Sequence, residues 1–374
     1  MFNNVKRILD KSTALGVPCS EILIFLDGRE VFHDVRGVRD SNGAPLAANE
    51  RFNIYSCSKP ITCAAALMLL EEGRFSLNDD LADYISAFGN LKISKNGSVF
   101  KAENKIKLHQ LFTMTAGLTY DMESREIQRG KIETDGICPT VKMMDYIAAM
   151  PLAFEPGESW NYSLCHDVIA ALVEIVSGKR FGEYVNEKIF APLGMTSSTF
   201  LLPESEVDSL PEQYLAKTDG SFQSLGKHIH RYKIGSSYES GGAGCVTTAR
   251  DYIKFLEGMR TGKLLTRATL ELMYRNHLNK AQSAACWAPA AYGYGLGVRV
   301  PDASGRRTDI GWGGAAGAYL ALDEKNGISL YYNQHVLHSP NKNLRKDLIE
   351  AAKLDLGFEA FTEDMYHGEA SHLA

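Results

Sequence analysis

The sequence predicts an α/β (α+β) protein: an antiparallel sheet flanked by helices from both ends of the chain, with a mainly helical lobe inserted between them. Three observations predict it. The chain opens helix, strand, strand; it closes on several strand-like runs and a last helix; and its long middle reads as short helices and loops. At 374 residues and 45% hydrophobic content there is core enough for two packed lobes or one elaborated domain.

The first element is MFNNVKRILDKSTALGVP, where Phe2, Val5, Ile8, Leu9 and Leu15 recur at near-helical spacing. It reads as a surface helix, and it lacks the unbroken apolar stretch and cleavage site of an export signal. SEILIFLDG and REVFHDVRG follow as strands, joined at Asp27-Gly28, a hairpin turn signal. A buried helix starts near Ser56 and runs through ITCAAALMLLEEG to Gly73. From about Asn78 to Lys233, segments such as KLHQLFTM, PTVKMMDYIAAM and CHDVIAALVEIVSG predict the helical lobe. Strand character returns in YGYGLGVRV, RTDIGW, AYLALD and GISLYYNQ, before a helix from about Pro340 to Leu356; the tail after Gly357 carries few packing signals. The two chain ends are expected to share one sheet. The expected domain division is 1–62 with 240–374 for the sheet domain and 63–239 for the helical lobe, with the site in the cleft between them.

Charge excludes some functions. Forty basic against 45 acidic residues, formal charge -5, are spread without long single-sign runs, which argues against nucleic-acid and anionic-membrane partners. No apolar run approaches the ~20 residues of a membrane span. Seven cysteines without a CxxC pair predict reduced thiols and a cytoplasmic location. His228 and His230 are half of a metal site at most, so neither a metal nor another cofactor is expected.

The sharpest chemical signal is FNIYSCSKPITCAAALMLLEEG, with Ser56 and Lys59 three apart at a helix start and therefore on one face. A serine hydroxyl needs a neighbouring base, and a desolvated lysine can serve. The helix start also offers free N–H groups and a positive dipole end. Ser58 points elsewhere, and the plainer reading of Ser56 is an N-cap. The second signal is FEPGESWNYSLCHDVIAALVEIVSG, which sets Tyr162 in a turn before a helix. Near a cationic lysine a tyrosine can exchange protons with the serine; otherwise it is a cleft wall. The third is RTDIGWGGAAGAYLALD, where Gly313 and Gly314 let a substrate lie against a strand edge and Ala315 supplies an oxyanion N–H with that of Ser56. The glycines could instead mark a bulge.

Ser56-x-x-Lys59, Tyr162-Ser163-Leu164 and Trp312-Gly313-Gly314, in this order, resemble the three boxes of class C β-lactamases, DD-peptidases and the family VIII carboxylesterases. KLHQLFTMTAGL, FEPGESWNYS, SGGAGCVTTARDYIKFLEGM and YGYGLGV are similar to the same superfamily, from about Val17 to Gln334. Leu164 stands where class C enzymes usually have asparagine, and Trp312 where they have lysine, so anchors for a β-lactam or peptide are missing. The Y-S-L and W-G-G forms are most similar to the carboxylesterases. The resemblance implies a serine hydrolase acting on a small ester through a Ser56 acyl-enzyme, with Lys59 and Tyr162 sharing the proton traffic, Ser56 and Ala315 N–H groups holding the oxyanion, and Trp312, Gly313 and Gly314 bedding the substrate. Which of Lys59 and Tyr162 is the base stays open. A β-lactamase or D-amino-acid peptidase with the same nucleophile, and a silent scaffold of this fold, are the alternatives; the oligomeric state is unknown.

Some features imitate sites. Lys217-Thr218-Asp219-Gly220 reads as a loop without strand character around it, and the glycines from Gly311 to Gly317 lack the helix a dinucleotide motif requires. Trp160, Trp312, Tyr120 and Tyr238 are candidate pocket walls, His166 a helix-end or cleft residue, and Cys57 a buried thiol next to the nucleophile.

Overall fold

Strand alternation decides which of two cores each residue of the main sheet enters. The structure, a computed structural model, describes residues 2–227, 232–289 and 291–362. Helix α1 (Asn3–Ala14) leads into β1 (Cys19–Leu26) and β2 (Arg29–Gly37), and the turn between them holds Asp27 and Gly28 at φ 49° and 79°. Both positive values match the right-handed twist of the paired strands. Strand β3 (Phe52–Asn53) and one 3₁₀ turn, Tyr55–Cys57, then deliver α2 (Ser58–Glu71), buried along nearly its whole length and closed by Gly73 at φ 68°.

The middle of the chain is not only helical. A hairpin, β4 (Lys92–Lys95) and β5 (Ser98–Lys101), precedes helices α3 (Leu108–Phe112), α4 (Arg125–Glu133), α5 (Thr140–Ala149), α6 (Cys165–Ser177), α7 (Phe181–Val185) and α8 (Ala191–Leu193). The hairpin escapes a hydrophobic-pattern reading because it lies almost wholly in solvent, though Asn96-Gly97 marks its turn. A second pair, β6 (Gln213–Ala216) and β7 (Phe222–Gly226), flanks Lys217–Gly220, which is thus a hairpin turn between strands and not a loop in strandless chain.

After β8 (Val246–Thr247), which pairs with β3, helices α9 (Ala249–Arg260), α10 (Arg267–Tyr274) and α11 (Lys280–Ala285) lead to β9 (Tyr292–Tyr294), β10 (Arg299–Pro301), β11 (Ile310–Gly313), β12 (Tyr319–Asp323) and β13 (Ile328–Asn333). These join β1 and β2 in one antiparallel sheet of order β2-β1-β13-β12-β11-β10-β9, so the two chain ends do share a sheet. Ile22, Ile24, Ala321, Leu330 and Tyr332 pack beneath α1 and the last helix, while Leu23, Leu320, Leu322 and Tyr331 enter the larger core toward α2 and α6. The short β14 (Val336–Leu337) pairs in parallel with β6.

The last helix, α12 (Leu348–Leu356), starts later than its sequence pattern suggests, after a 3₁₀ turn at Leu344–Asp347. Buried Asn341 explains the delay: its amide donates to Ser12, Tyr332 and Gln334, which fixes the preceding chain outside a helix. Helix α1 packs on α12, and the Asp355 carboxylate caps α1 by accepting from the Asn4 and Val5 N–H groups at 3.1 and 2.9 Å. All seven cysteines are free thiols, and no helix among the described residues is long and apolar enough to cross a membrane.

Candidate active site

Ser56 sits in the 3₁₀ turn that opens α2, directly after Tyr55, whose φ of 49° is unusual for a bulky residue. Tyr55 is fully buried, its hydroxyl hydrogen-bonds Gln213, and its ring meets Tyr232 edge-on at 5.7 Å. That packing fixes the turn carrying the Ser56 hydroxyl. Ser58 faces away from the cluster and braces the turn instead, since its hydroxyl donates to the Tyr55 carbonyl and accepts from the Cys245 N–H next to β8.

The Ser56 Oγ shares a short hydrogen bond with the Tyr162 hydroxyl and accepts from Lys59 Nζ at 3.2 Å. Lys59 is fully buried, donates to the Gly242 carbonyl at 2.7 Å, and lies 4.6 Å from the Tyr162 ring centre. One hydroxyl, one amine and one phenol therefore meet at a single oxygen, the phenol brought from a distant stretch of chain. Tyr162 arrives from the loop before α6, held by a half-buried Tyr120 ring stacked on it at 5.5 Å.

The third stretch borders this cluster. Beyond Gly311, β11 no longer pairs with β10, so the segment from Trp312 onward belongs to an interior strand whose far side has opened. It does not run straight on as a strand: Gly314 donates to the Ala318 carbonyl at 2.7 Å, and the turn reverses the chain into β12. A Cβ on Gly314 would stand 2.3 Å from the Ile54 carbonyl oxygen, whereas one on Gly313 would touch nothing closer than 3.6 Å. Gly314 is thus the glycine that close approach demands, and it seats the exposed Ala315 next to the Ser56 turn. The run from Gly311 to Gly317 enters a strand, as a non-nucleotide reading expects.

Aromatic rings wall the site. Tyr162 is flanked by Trp287 at 5.0 Å and Trp312 at 6.2 Å, both near parallel. Trp287 stays 68% exposed on the loop after α11 and belongs to none of the sequence motifs. Trp160 and Tyr238 are not walls open to substrate: both are buried, Trp160 behind Tyr162 and Tyr238 with its hydroxyl on Asp167. Leu164 is likewise in the core, so it replaces a polar anchor without lining the cleft. His166 is fully buried beside Cys63 and Gly297 rather than in the cleft, and burial holds its imidazole well below the ordinary range. Cys57 is an inert thiol pushed up by burial. His228 and His230 lie outside the described residues.

Two residues behind Lys59 escaped the motif reading. The Asp167 carboxylate, buried on α6, accepts from the Tyr238 hydroxyl at 3.0 Å. A Cβ on Gly242 would stand 2.6 Å from Asp167 Oδ2, 3.3 Å from the Tyr120 hydroxyl and 3.4 Å from Lys59 Nζ, so the missing side chain lets the three converge. A buried acidic residue five positions after the tyrosine is the signal that could have found the first.

Comparison with known proteins agrees with this architecture. The esterase EstB of Burkholderia gladioli is 27% identical over 331 residues, 81% of this chain and 82% of its own. Lovastatin esterase of Penicillium rubens is 25% identical, covering 80% and 84%. The solved structure of EstCE1, a hydrolase with promiscuous acyltransferase activity, superposes with a TM-score of 0.77 at 24% identity over 92% of this chain and 97% of its own. The Beta-lactamase family matches residues 5–353, nearly the whole sequence, and the chain belongs to that family.

Proposed function

We propose that the protein is a serine hydrolase that cleaves small carboxylic esters through an acyl-enzyme on Ser56. The observation that carries the reading is the single Ser56 oxygen bonded to both Tyr162 and Lys59. In this mechanism Oγ attacks the ester carbonyl carbon as its proton leaves toward the Lys59–Tyr162 pair, and the carbonyl oxygen becomes an oxyanion facing the Ser56 and Ala315 N–H groups. Collapse expels the alcohol, which takes up that proton; water then repeats the sequence on the acyl-enzyme. Trp312, Gly313 and Gly314 form the bed on which the acyl or alcohol group lies.

The sheet domain is 1–62 with 240–374 and the helical lobe 63–239, with this site between them. The substrate is a free small molecule met in the cytoplasm, and the chemistry described uses only side chains and backbone. Relatives named as esterases support an ester over a lactam or amide, as does the tryptophan in place of a lysine at the third box.

The test is Ser56→Ala. Hydrolysis of short p-nitrophenyl esters should fall by at least about 10³-fold with the fold intact, and a fluorophosphonate should add once to the wild type, on Ser56. Undiminished turnover, or no adduct, would reject the reading. Faster turnover of a chromogenic cephalosporin than of any ester would move the assignment to a β-lactamase.

A further inference from the structure

Of the three tryptophans, Trp160 is buried and Trp312 half-buried, whereas Trp287 leaves 68% of its surface in solvent. Exposure on that scale of the largest apolar side chain marks a contact surface. The indole is nonetheless held in place. Its ring lies 5.0 Å from that of Tyr162 at 24° and meets Trp160 edge-on at 5.4 Å. Helix α11, which precedes it, is capped by Asn279, and its Gln282 amide donates to the Gly157 carbonyl at 2.8 Å, in the loop that carries Trp160 and Tyr162. From there the rings close a circuit: Trp160 meets Tyr294 at 5.8 Å, Tyr294 meets Trp312 at 5.2 Å, and Trp312 returns to Tyr162 at 6.2 Å and 14°. Trp160 and Tyr294 are its buried members, and Tyr162, Trp312 and Trp287 are those that reach the surface.

We propose that Trp287 is a specificity-determining residue and that the cleft takes esters bearing a planar aromatic ring, which lies against the open indole. The proposal rests on the serine-hydrolase reading and names the substrate class within it. Two contacts separate the nucleophile from the indole: Ser56 to the Tyr162 hydroxyl, and the Tyr162 ring to Trp287. A ring one or two bonds from a carbonyl at Ser56 spans that distance, whether it belongs to the acyl or to the alcohol part. Flat groups gain more than saturated ones of the same size, because an aromatic ring adds to the near-parallel faces in offset stacking at roughly 4.5–7 Å, while a puckered ring meets them only at its projecting hydrogens.

The experiment measures kcat/KM of wild type, Trp287→Leu and Trp287→Phe on two matched pairs: p-nitrophenyl phenylacetate against the cyclohexylacetate, and benzyl acetate against cyclohexylmethyl acetate. Dividing each variant's aromatic-to-saturated ratio by that of the wild type cancels the intrinsic reactivity of the esters. Trp287→Leu should lower this quotient about fivefold or more in at least one pair, and Trp287→Phe, which keeps a flat ring, should hold it within about twofold. The pair that responds tells whether the ring sits in the acyl or the alcohol part. Thermal melts establish that the variants are folded, and Trp287→Met repeats the test should the leucine variant not fold. An equal loss for both members of each pair would make Trp287 a support for Tyr162 and overturn the proposal, as would quotients unchanged in a folded leucine variant. A wild-type dimer that Trp287→Leu dissociates, with the quotients unmoved, would assign the exposed indole to a second copy instead. Failure of the underlying reading looks different, since the wild type itself would then neither hydrolyse any of the four esters nor take a fluorophosphonate on Ser56.

Discussion

Among the described residues two lysines are buried, and their surroundings differ in kind. Lys353, on α12 behind the sheet, touches Asp323 at 3.1 Å, Glu350 at 3.4 Å and the Thr308 hydroxyl at 2.9 Å. Lys59, on α2, touches a carbonyl, a hydroxyl and an aromatic face, and the Asp167 carboxylate lies on the far side of the space that a Gly242 side chain would fill. Where only stability is at stake, the charge is neutralised by direct contact. At the proposed site, Lys59 is kept off direct contact with a carboxylate and faces the Ser56 hydroxyl. The contrast teaches that what sets the proposed site apart is the neutrality of the groups a buried lysine touches, since burial is common to both lysines.

The contrast can be broken by exchanging the two effects. Lys59→Met should reduce ester turnover by about 10³-fold while shifting the melting temperature by only a few degrees; a collapse of stability in the melt would show that the site lysine is structural too. Lys353→Met leaves two buried carboxylates without their shared ammonium and should cost about 3–5 kcal/mol in denaturant unfolding, while the molecules that remain folded keep their specific activity. If activity falls faster than the folded fraction, the two regions are coupled.

A smaller effect comes from pH. Burial alone would raise the Asp323 carboxyl, but the Lys353 charge and the hydrogen bonds from Thr308, Asn326 and Lys353 outweigh it and leave it below its ordinary value of 3.8. A depressed carboxyl contributes stability above its unfolded value and loses it as pH falls through the folded one. Acid titration of the unfolding midpoint should therefore show a loss below about pH 4 that Asp323→Asn flattens. The smallest expected change is Gly28→Ala in the β1–β2 turn, about 1 kcal/mol from the positive φ and none in turnover.

Both cores and the Ser56–Lys59 contact were legible because each rests on local pattern: period-2 strands, a hairpin turn at Asp27-Gly28, and Ser56 and Lys59 one helical turn apart. The exposed β4–β5 hairpin was not, since solvent on both faces erases the alternation that announces a strand. Trp160 and Tyr238 looked like pocket walls because an aromatic residue reads the same in a core as in a cleft. Asp167 was invisible for a stronger reason. Its partner Tyr238 is 71 residues away and Gly242 lies beyond that, so the cluster exists only once α6 and the turn before β8 pack together.

The cap that Asp355 places on α1 ties the first helix to the last turn of α12, and β1 needs β13 as its neighbour. On a ribosome, β1 must therefore wait for β13, and α1 until about residue 355 has emerged, before they can dock. During that interval the apolar residues of β1 have no permanent cover. Chains stalled before β13 should accordingly be cleaved by protease within the first hairpin, while full-length chains resist there.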